Sequence, residues 1–363
     1  MADRIRVAVL FGGRSSEHSI SCATAGGVLG ALDRERFEVI PVGITRDGAW
    51  TLLPDDAAGL TLGAELPVVA DNGSRVRLPV SAATREWTVV EADGSERSLG
   101  AIDAAFPILH GPFGEDGTVQ GALELVGVPY VGNGVLASAV GMHKHFTKSV
   151  LTTAGLVVAP WVTLTRSRVA AGLNGWRERV EALGLPVFVK PSRSGSSVGV
   201  SKVSSWDALD AALADAFSHD HHVIVEAGLA GREIEFAVLE GRDGAPPRVS
   251  LPGEIVVTGR EFYDFEAKYL DAPGVQLLCP APLEPAQLAE GQRLAAAAFD
   301  AIGGQGLARV DFFLTAEGWV VNEVNTMPGF TPISMFPRCW TESGLSYPEL
   351  VAELIELGIA ADR

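Results

Sequence analysis

The run IRVAVLF at residues 5–11 is apolar and rich in β-branched side chains, halts at Gly12-Gly13, and passes through the polar loop RSSEHS into a helical pattern lasting to about residue 32. A second strand pattern follows at 37–44, so the chain opens on a βαβ unit and a parallel sheet. Residues 47–99 interleave Gly, Pro and charged residues with short strand-like pieces such as 87–91, and read as an insertion decorating the first domain. A strand at 103–109 then runs into the glycine-rich loop HGPFGEDG, a helix at 118–126 and a short strand at 128–131.

The second half changes rhythm. A helical pattern at 142–151 carries Lys144 and Lys148 and ends at Gly155; VFVKP at 187–191 is a strand ending in a lysine. The small-residue loop SRSGSSVG separates it from a strand at 200–203, and a helix at 206–217 precedes the strand VIVE at 223–226, whose antiparallel neighbour is 233–239. Between a strand at 254–257 and the apolar run 275–279 lies TGREFYDFEAKYLD, residues 258–271. A long loop of charged and aromatic residues has the character of a lid, the alternative being a packed surface loop anchored by Tyr263, Phe265 and Tyr269. A helix at 284–302 leads to a hairpin at 306–329, a Pro/Gly-fixed loop and a helical tail from about residue 347.

Composition narrows the class. At 363 residues, 47% hydrophobic, the chain is long for one core, so two or three domains are expected. A net charge of −17 argues against nucleic acid, whose affinity rests on cationic contacts. Three widely spaced cysteines without a CxxC pair support neither a disulfide framework nor a zinc site, and fit a reducing cytoplasm. The N-terminal apolar run is too short for a signal peptide, and no run approaches the roughly 20 apolar residues that span a bilayer.

The chemistry concentrates at strand ends. Alternation places Arg309, Asp311 and Phe313 on one face of the hairpin's first strand and Glu323 and Asn325 on one face of its second. Asp, Glu and Asn offer hard oxygens of the kind that hold Mg²⁺ beside phosphates. The opening loop lacks GxGxxG, and the serine loop is not GxxxxGK[ST]. A loop of small residues still lets backbone N–H groups approach phosphate oxygens, and Lys190 just before it adds an ammonium; alone, such a loop is more often an ordinary hairpin. Glu17 and His18, and likewise His110 and Glu115, stand on loops at the carboxyl ends of strands, where ligands bind. Capping of the first helix by Ser16 or Glu17 is the alternative. The strand edge at Glu226 could read an adenine amino group and ribose hydroxyls. The His221-His222 pair reads as solvated.

In this order, GGRSSEHSIS, LHGPFGEDG, VKPSRSGSSVGVSKV, YDFEAKY, ARVDFFL and NEVNTMPGFTPIS resemble the D-alanine–D-alanine ligases of the ATP-grasp superfamily, over residues 5 to about 340 apart from the insertion. The resemblance implies an α/β protein of three-domain ATP-grasp architecture: an N-terminal parallel α/β substrate-binding domain (1–140, insertion about 47–99), a central subdomain (141–228) and a C-terminal subdomain (229–363) with the metal site and the lid 258–271. It implies ATP between the last two, with two Mg²⁺ ions, or Mn²⁺ instead. Lys144, Lys190, Ser196, Ser197 and Lys268 would contact the nucleotide, Glu226, Leu229 and Glu233 its adenine and ribose, and Asp311, Glu323 and Asn325 the metal. Glu17 would hold the first D-alanine's ammonium with His110 nearby, and Glu17, Ser196 and Tyr269 would form a closing hydrogen-bond triad. Arg309 and the backbone of Gly329 would face the oxyanion, and Ser334 with Lys268 the second carboxylate. The family also suggests a cytoplasmic homodimer serving peptidoglycan synthesis. The intact EAKY motif points to D-alanine rather than D-lactate as acceptor. Another ATP-grasp carboxylate–amine ligase would keep the metal ligands without Glu17, His110 and the lid; a non-catalytic nucleotide-binding module would have lost a metal ligand or Arg309.

Overall fold

The computed structural model describes residues 4–61, 63, 66–172, 175–257 and 274–361. The chain opens with β1 (Ile5–Gly12), α1 (His18–Ala31), β2 (Phe37–Ile44) and β3 (Trp50–Leu52), then β4 (Arg75–Arg77), β5 (Glu86–Val90), β6 (Glu96–Ala101) and β7 (Ala104–Ile108). β1 lies between β2 and β7, parallel to both, while β3 pairs antiparallel with β2. From Val7 onward β1 is apolar and buried because both its faces are covered, as a central parallel strand requires. It ends at Gly12 with φ +89, where a Cβ would lie 2.4 Å from the Ile44 carbonyl oxygen, so only glycine lets the chain turn out of the sheet there.

Residues 47–99, expected as an irregular decoration, build the antiparallel sheet β4-β5-β6. Trp87 and Val89 on β5 are fully buried in one cluster with Ala8, Leu10, Ile40 and Val42 of the first sheet. The sequence signal was weak because the strands are short and separated by polar turns.

Next come α2 (Thr118–Leu125), α3 (Val135–Met142) and α4 (Lys144–Thr153). The helix expected at 142–151 is α4, which starts at Lys144; α3, which ends at Met142, had not been expected, and His143 with extended backbone separates the two. A second sheet, β10-β9-β11-β8, is antiparallel and contains β8 (Trp161–Thr165), β9 (Val187–Pro191), β10 (Ser201–Val203) and β11 (His222–Ala227), packed on α5 (Arg166–Ala170), α6 (Trp176–Glu181) and α7 (Leu209–His219) around its own core.

The third large sheet, β15-β14-β12-β16-β17, is built from β12 (Arg232–Leu239), β13 (Arg248–Val249), β14 (Gly253–Val257), β15 (Val275–Leu278), β16 (Leu307–Thr315) and β17 (Gly318–Asn325), with β13 beside β12. Helix α8 (Pro285–Ala301) starts with proline in its first turn and a capping box between Glu284 and Gln287, and packs on this sheet. Val321 N–H donates to the Val157 carbonyl at 2.8 Å, tying the connection before β8 to β17. The closing helices α9 (Met335–Glu342) and α10 (Tyr347–Ala360) return to the first sheet: Leu350, Val351, Leu354 and Ile355 share a core with Val7, Val9, Phe106 and Ile108. The last helix therefore packs with residues 1–140 rather than only with its sequence neighbours. None of the described helices is long and apolar enough to cross a membrane.

Candidate active site

Three groups of side chains converge. The first forms on the loops after β1 and β7. Glu17 is buried and precedes α1, yet its side chain does not cap that helix. Its carboxylate instead accepts a hydrogen bond from the Ser196 hydroxyl, 179 residues away on the serine loop. A Cβ at Gly111 or at Gly195 would lie 2.7 or 2.9 Å from Glu17 Oε2, so both glycines make room for this carboxylate. Ser15 holds the cluster together, donating to the His110 carbonyl at 2.6 Å and accepting from Glu17 N–H at 3.2 Å.

His110 is buried, with Nδ1 3.2 Å from the Met327 carbonyl and Nε2 3.4 Å from Thr24 Oγ1. A carbonyl can only accept, which puts the proton on Nδ1. Burial lowers the ring's pKa, against the opposing pull of Glu17 and the Met327 carbonyl, so the neutral ring bridges the loop after β7 to the segment after β17. Its neighbour Glu115 accepts from Gly111 N–H at 2.5 Å; burial, then the Glu17 charge, pushes its pKa up to about 8. His18, expected beside Glu17 at a ligand site, turns the other way: Nδ1 meets the Gly13 carbonyl at 2.7 Å and Nε2 accepts from Val69 N–H at 3.0 Å. Both nitrogens are thus bound to backbone, and burial lowers its pKa.

The second group lies on the sheet of β8 to β11. Lys190 Nζ is 2.6 Å from Glu226 Oε2, and Lys148 Nζ is 3.3 Å from Glu226 Oε1. Burial would raise the Glu226 pKa, but Lys190 and Lys148 outweigh it and hold the carboxyl at about 2. Burial would depress Lys190, yet Glu226, with Glu323 and Glu233 beyond it, keeps its pKa above the ordinary value. Lys148 loses that contest and its pKa falls. Lys144, one helical turn before Lys148, donates to the Ser194 carbonyl at 2.6 Å. The serine loop is pinned at its start by Arg193, which makes three contacts of 2.6 to 3.1 Å with Asp220 through its backbone N–H and guanidinium. Ser196 and Ser197 both adopt positive φ, a conformation costly for L-residues that a surrounding structure must impose. Leu229, half-buried, lies between β11 and β12, and Glu233 is on β12 opposite Phe313.

The third group is on the hairpin. Asp311 stands directly opposite Glu323, and Arg309 opposite Asn325. On the other side β12 places Glu235 opposite Asp311. Arg309 binds Asp311 with two contacts of 2.7 Å and approaches Glu235 at 3.2 Å, while the Asn325 amide donates to Asp311 at 2.9 Å. Glu323 of the hairpin acts electrostatically on both Lys190 of the second sheet and Lys148 of α4. Among the described residues no group of three His, Cys, Asp or Glu is arranged around one point for a metal. Asp311, Glu323 and Asn325 nonetheless form an all-oxygen set whose two facing carboxylates suit a hard divalent cation. Gly329 follows this strand, and its absent Cβ would sit 3.4 Å from Ser334 Oγ, which pairs with Thr331 Oγ1 at 2.7 Å ahead of α9. The whole expected lid, 258–271, with Lys268 and Tyr269, lies outside the described residues.

Four residues around the site had been given no role from sequence. Lys148 is one helical turn from Lys144 and Glu235 shares a strand face with Glu233, so both had a periodicity signal; the Arg193–Asp220 clamp spans 27 residues and had none.

A parallel α/β unit followed by two antiparallel sheets, with lysines on one confronting carboxylates on the other, defines an enzyme of ATP-grasp architecture. The model of the D-ala D-ala ligase N-terminus matches residues 6–133 and that of the C-terminus residues 150–356. A D-alanine–D-alanine ligase of Arthrobacter sp. (strain FB24) is 53% identical over 358 residues, 98% of this chain and 94% of the relative; that of Mycolicibacterium vanbaalenii is 55% identical over 368 residues, 99% and 98% of the two chains. Among solved structures, the VanG D-Ala:D-Ser ligase of Enterococcus faecalis is 34% identical with a TM-score of 0.83, covering 98% of this chain and all of that one. The D-alanine–D-alanine ligase of Coxiella burnetii is 34% identical with a TM-score of 0.82, covering 99% of this chain and 94% of that one. The chain belongs to the D-alanine–D-alanine ligase family, and it is a ligase.

Proposed function

We propose that this enzyme joins two D-alanines at the expense of ATP, through a D-alanyl phosphate, and that the residues converging around the Glu17–Ser196 contact carry the reaction. That contact is the central support, because it brings the amino-acid loop of the first sheet onto the serine loop of the second. Glu17 accepts from the first D-alanine's ammonium, leaving its carboxylate turned toward the γ-phosphate of ATP between the second and third sheets. Lys144, Lys190 and the backbone of Ser196 and Ser197 neutralise and orient the phosphates, while Glu226, Leu229 and Glu233 hold adenine and ribose. Asp311, Glu323 and Asn325 would hold two Mg²⁺ ions, which would supply screening of the phosphoryl charge. The carboxylate oxygen attacks the γ-phosphorus, ADP leaves, and the resulting acyl phosphate is open to attack by the second D-alanine's amine. Arg309 and the Gly329 backbone stabilise the oxyanion before phosphate departs, and Ser334 with Lys268 positions the second carboxylate. Tyr269 completes the closure with Glu17 and Ser196. The product serves peptidoglycan synthesis in the cytoplasm, and the assembly is a homodimer, which light scattering tests.

The decisive assay follows phosphate release from ATP with D-alanine, identifies the product by mass, and offers D-serine and D-lactate as competing acceptors. Release coupled to D-alanyl-D-alanine is expected, and Asp311→Ala should be nearly inactive. ATP turnover without a dipeptide would overturn the assignment. The acceptor competition matters because one similar structure is named a D-Ala:D-Ser ligase.

A further inference from the structure

Cys279 and Cys339 are 60 residues apart in sequence, but their sulfurs lie 3.7 Å apart in the fold. Both are free thiols. Cys279 directly follows β15 and is half-buried; Cys339 is buried at the middle of α9, the helix that begins after Ser334. We propose that these two thiols are a reversible modification site: hydrogen peroxide converts them to an intramolecular disulfide that cross-links β15 to α9.

The chemistry balances in two steps. The Cys279 thiolate attacks one peroxide oxygen, the O–O bond breaks, and water leaves a sulfenic acid. Cys339 sulfur then attacks the sulfenic sulfur; the S–S bond forms, the S–O bond breaks, and hydroxide leaves as water with the Cys339 proton. Two thiols and one peroxide thus give one disulfide and two waters. Geometry selects the pair, since no other cysteine lies beside either thiol among the described residues. Electrostatics orders the steps: the Cys339 thiol, followed by Arg338, favours the Cys279 thiolate against burial and lowers its pKa, whereas that contact and burial raise Cys339. Cys22 is fully buried, with its pKa pushed up to about 12 by burial, and serves as an internal control.

A disulfide needs the sulfurs at about 2.05 Å, so a contraction of about 1.6 Å must be shared between side-chain torsions and α9. The helix has little slack: a Cβ at Gly253 would meet Met335 Sδ at 2.1 Å, and Ser343 Oγ holds Leu251 N–H at 2.7 Å. Its displacement reaches Ser334 at the first turn, so oxidation should raise the KM for the acceptor several-fold, a consequence that rests on the role proposed for Ser334.

The test treats the native protein with hydrogen peroxide, then maps it by mass spectrometry without reduction. The expected result is loss of two hydrogens, a Cys279 peptide joined to the Cys339 peptide, free Cys22, and reversal by dithiothreitol. Cys339→Ala should stop at a Cys279 sulfenic acid that dimedone traps. Over-oxidation of Cys279 without the internal link, links between chains only, or reaction at Cys22 first would overturn the proposal. The mapping does not depend on activity; a confirmed link with unchanged acceptor KM would overturn only the coupling to Ser334.

Discussion

At the scale of single residues, the loops after β1 and β7 bring two carboxylates, Glu17 and Glu115, together, and the second is kept protonated. Burial, then the charge of Glu17, holds the Glu115 pKa at about 8, against an ordinary 4.5. At neutral pH Glu115 therefore stays mostly protonated. Because the folded-state pKa is raised, its stabilising contribution is full below about pH 4.5 and is lost as pH climbs toward about 8, where the unfolded chain gains from ionising earlier. Glu115→Gln mimics the neutral form. Thermal melts across this window should show wild type losing Tm relative to the variant by several degrees, whereas parallel curves would contradict the assignment. Glu226 behaves oppositely, its pKa held at about 2 by the buried lysines. Its ionised form belongs to the folded state across the working pH range, and protonation destabilises only as pH falls from 4.5 toward 2.

At the scale of elements, the serine loop is held from both ends, by Arg193 on Asp220 and by Ser196 on Glu17. Gly195 lies between these anchors without a positive φ, so alanine is conformationally acceptable there. Its Cβ would come 2.9 Å from Glu17 Oε2, the end of a side chain that can move aside. Gly195→Ala should consequently leave Tm almost unchanged while displacing Glu17 and raising the D-alanine KM by about tenfold, equivalent to about 1.4 kcal/mol. A fall in Tm with an unaltered KM would show that the glycine serves folding alone. The hairpin β16–β17 is organised by register: a one-residue slip would move Asp311 or Glu323 to the opposite face.

At the scale of the whole molecule, cores cross the boundaries expected from sequence. The final helix closes over the first sheet, and the segment 47–99 contributes Trp87 to the core on that sheet's other side. Trp87→Ala should cost about 3–5 kcal/mol, as large aromatic truncations in cores do, measurable by denaturant unfolding. A cost below about 1 kcal/mol would mark the segment as a detachable decoration. The site depends on this integration, since His110 links the loop after β7 to Met327, 217 residues later.

Local pattern alone was enough for the opening βαβ unit, the proline-started helix near 284, the hairpin and the positions of Glu17, Lys190, Asp311, Glu323 and Asn325, because periodicity and turn chemistry act between near neighbours. It was not enough for α3, the β4-β5-β6 sheet or the homes of His18 and the last helix, where tertiary contacts override weak local preferences. Pairings between distant residues, such as Ser196 with Glu17, Lys148 with Glu226, Glu235 with Asp311 and Cys279 with Cys339, were decided only by the folded chain. Residue types announced which chemistry was available; long-range packing, in which sequence separation carries no information about distance, chose the partners.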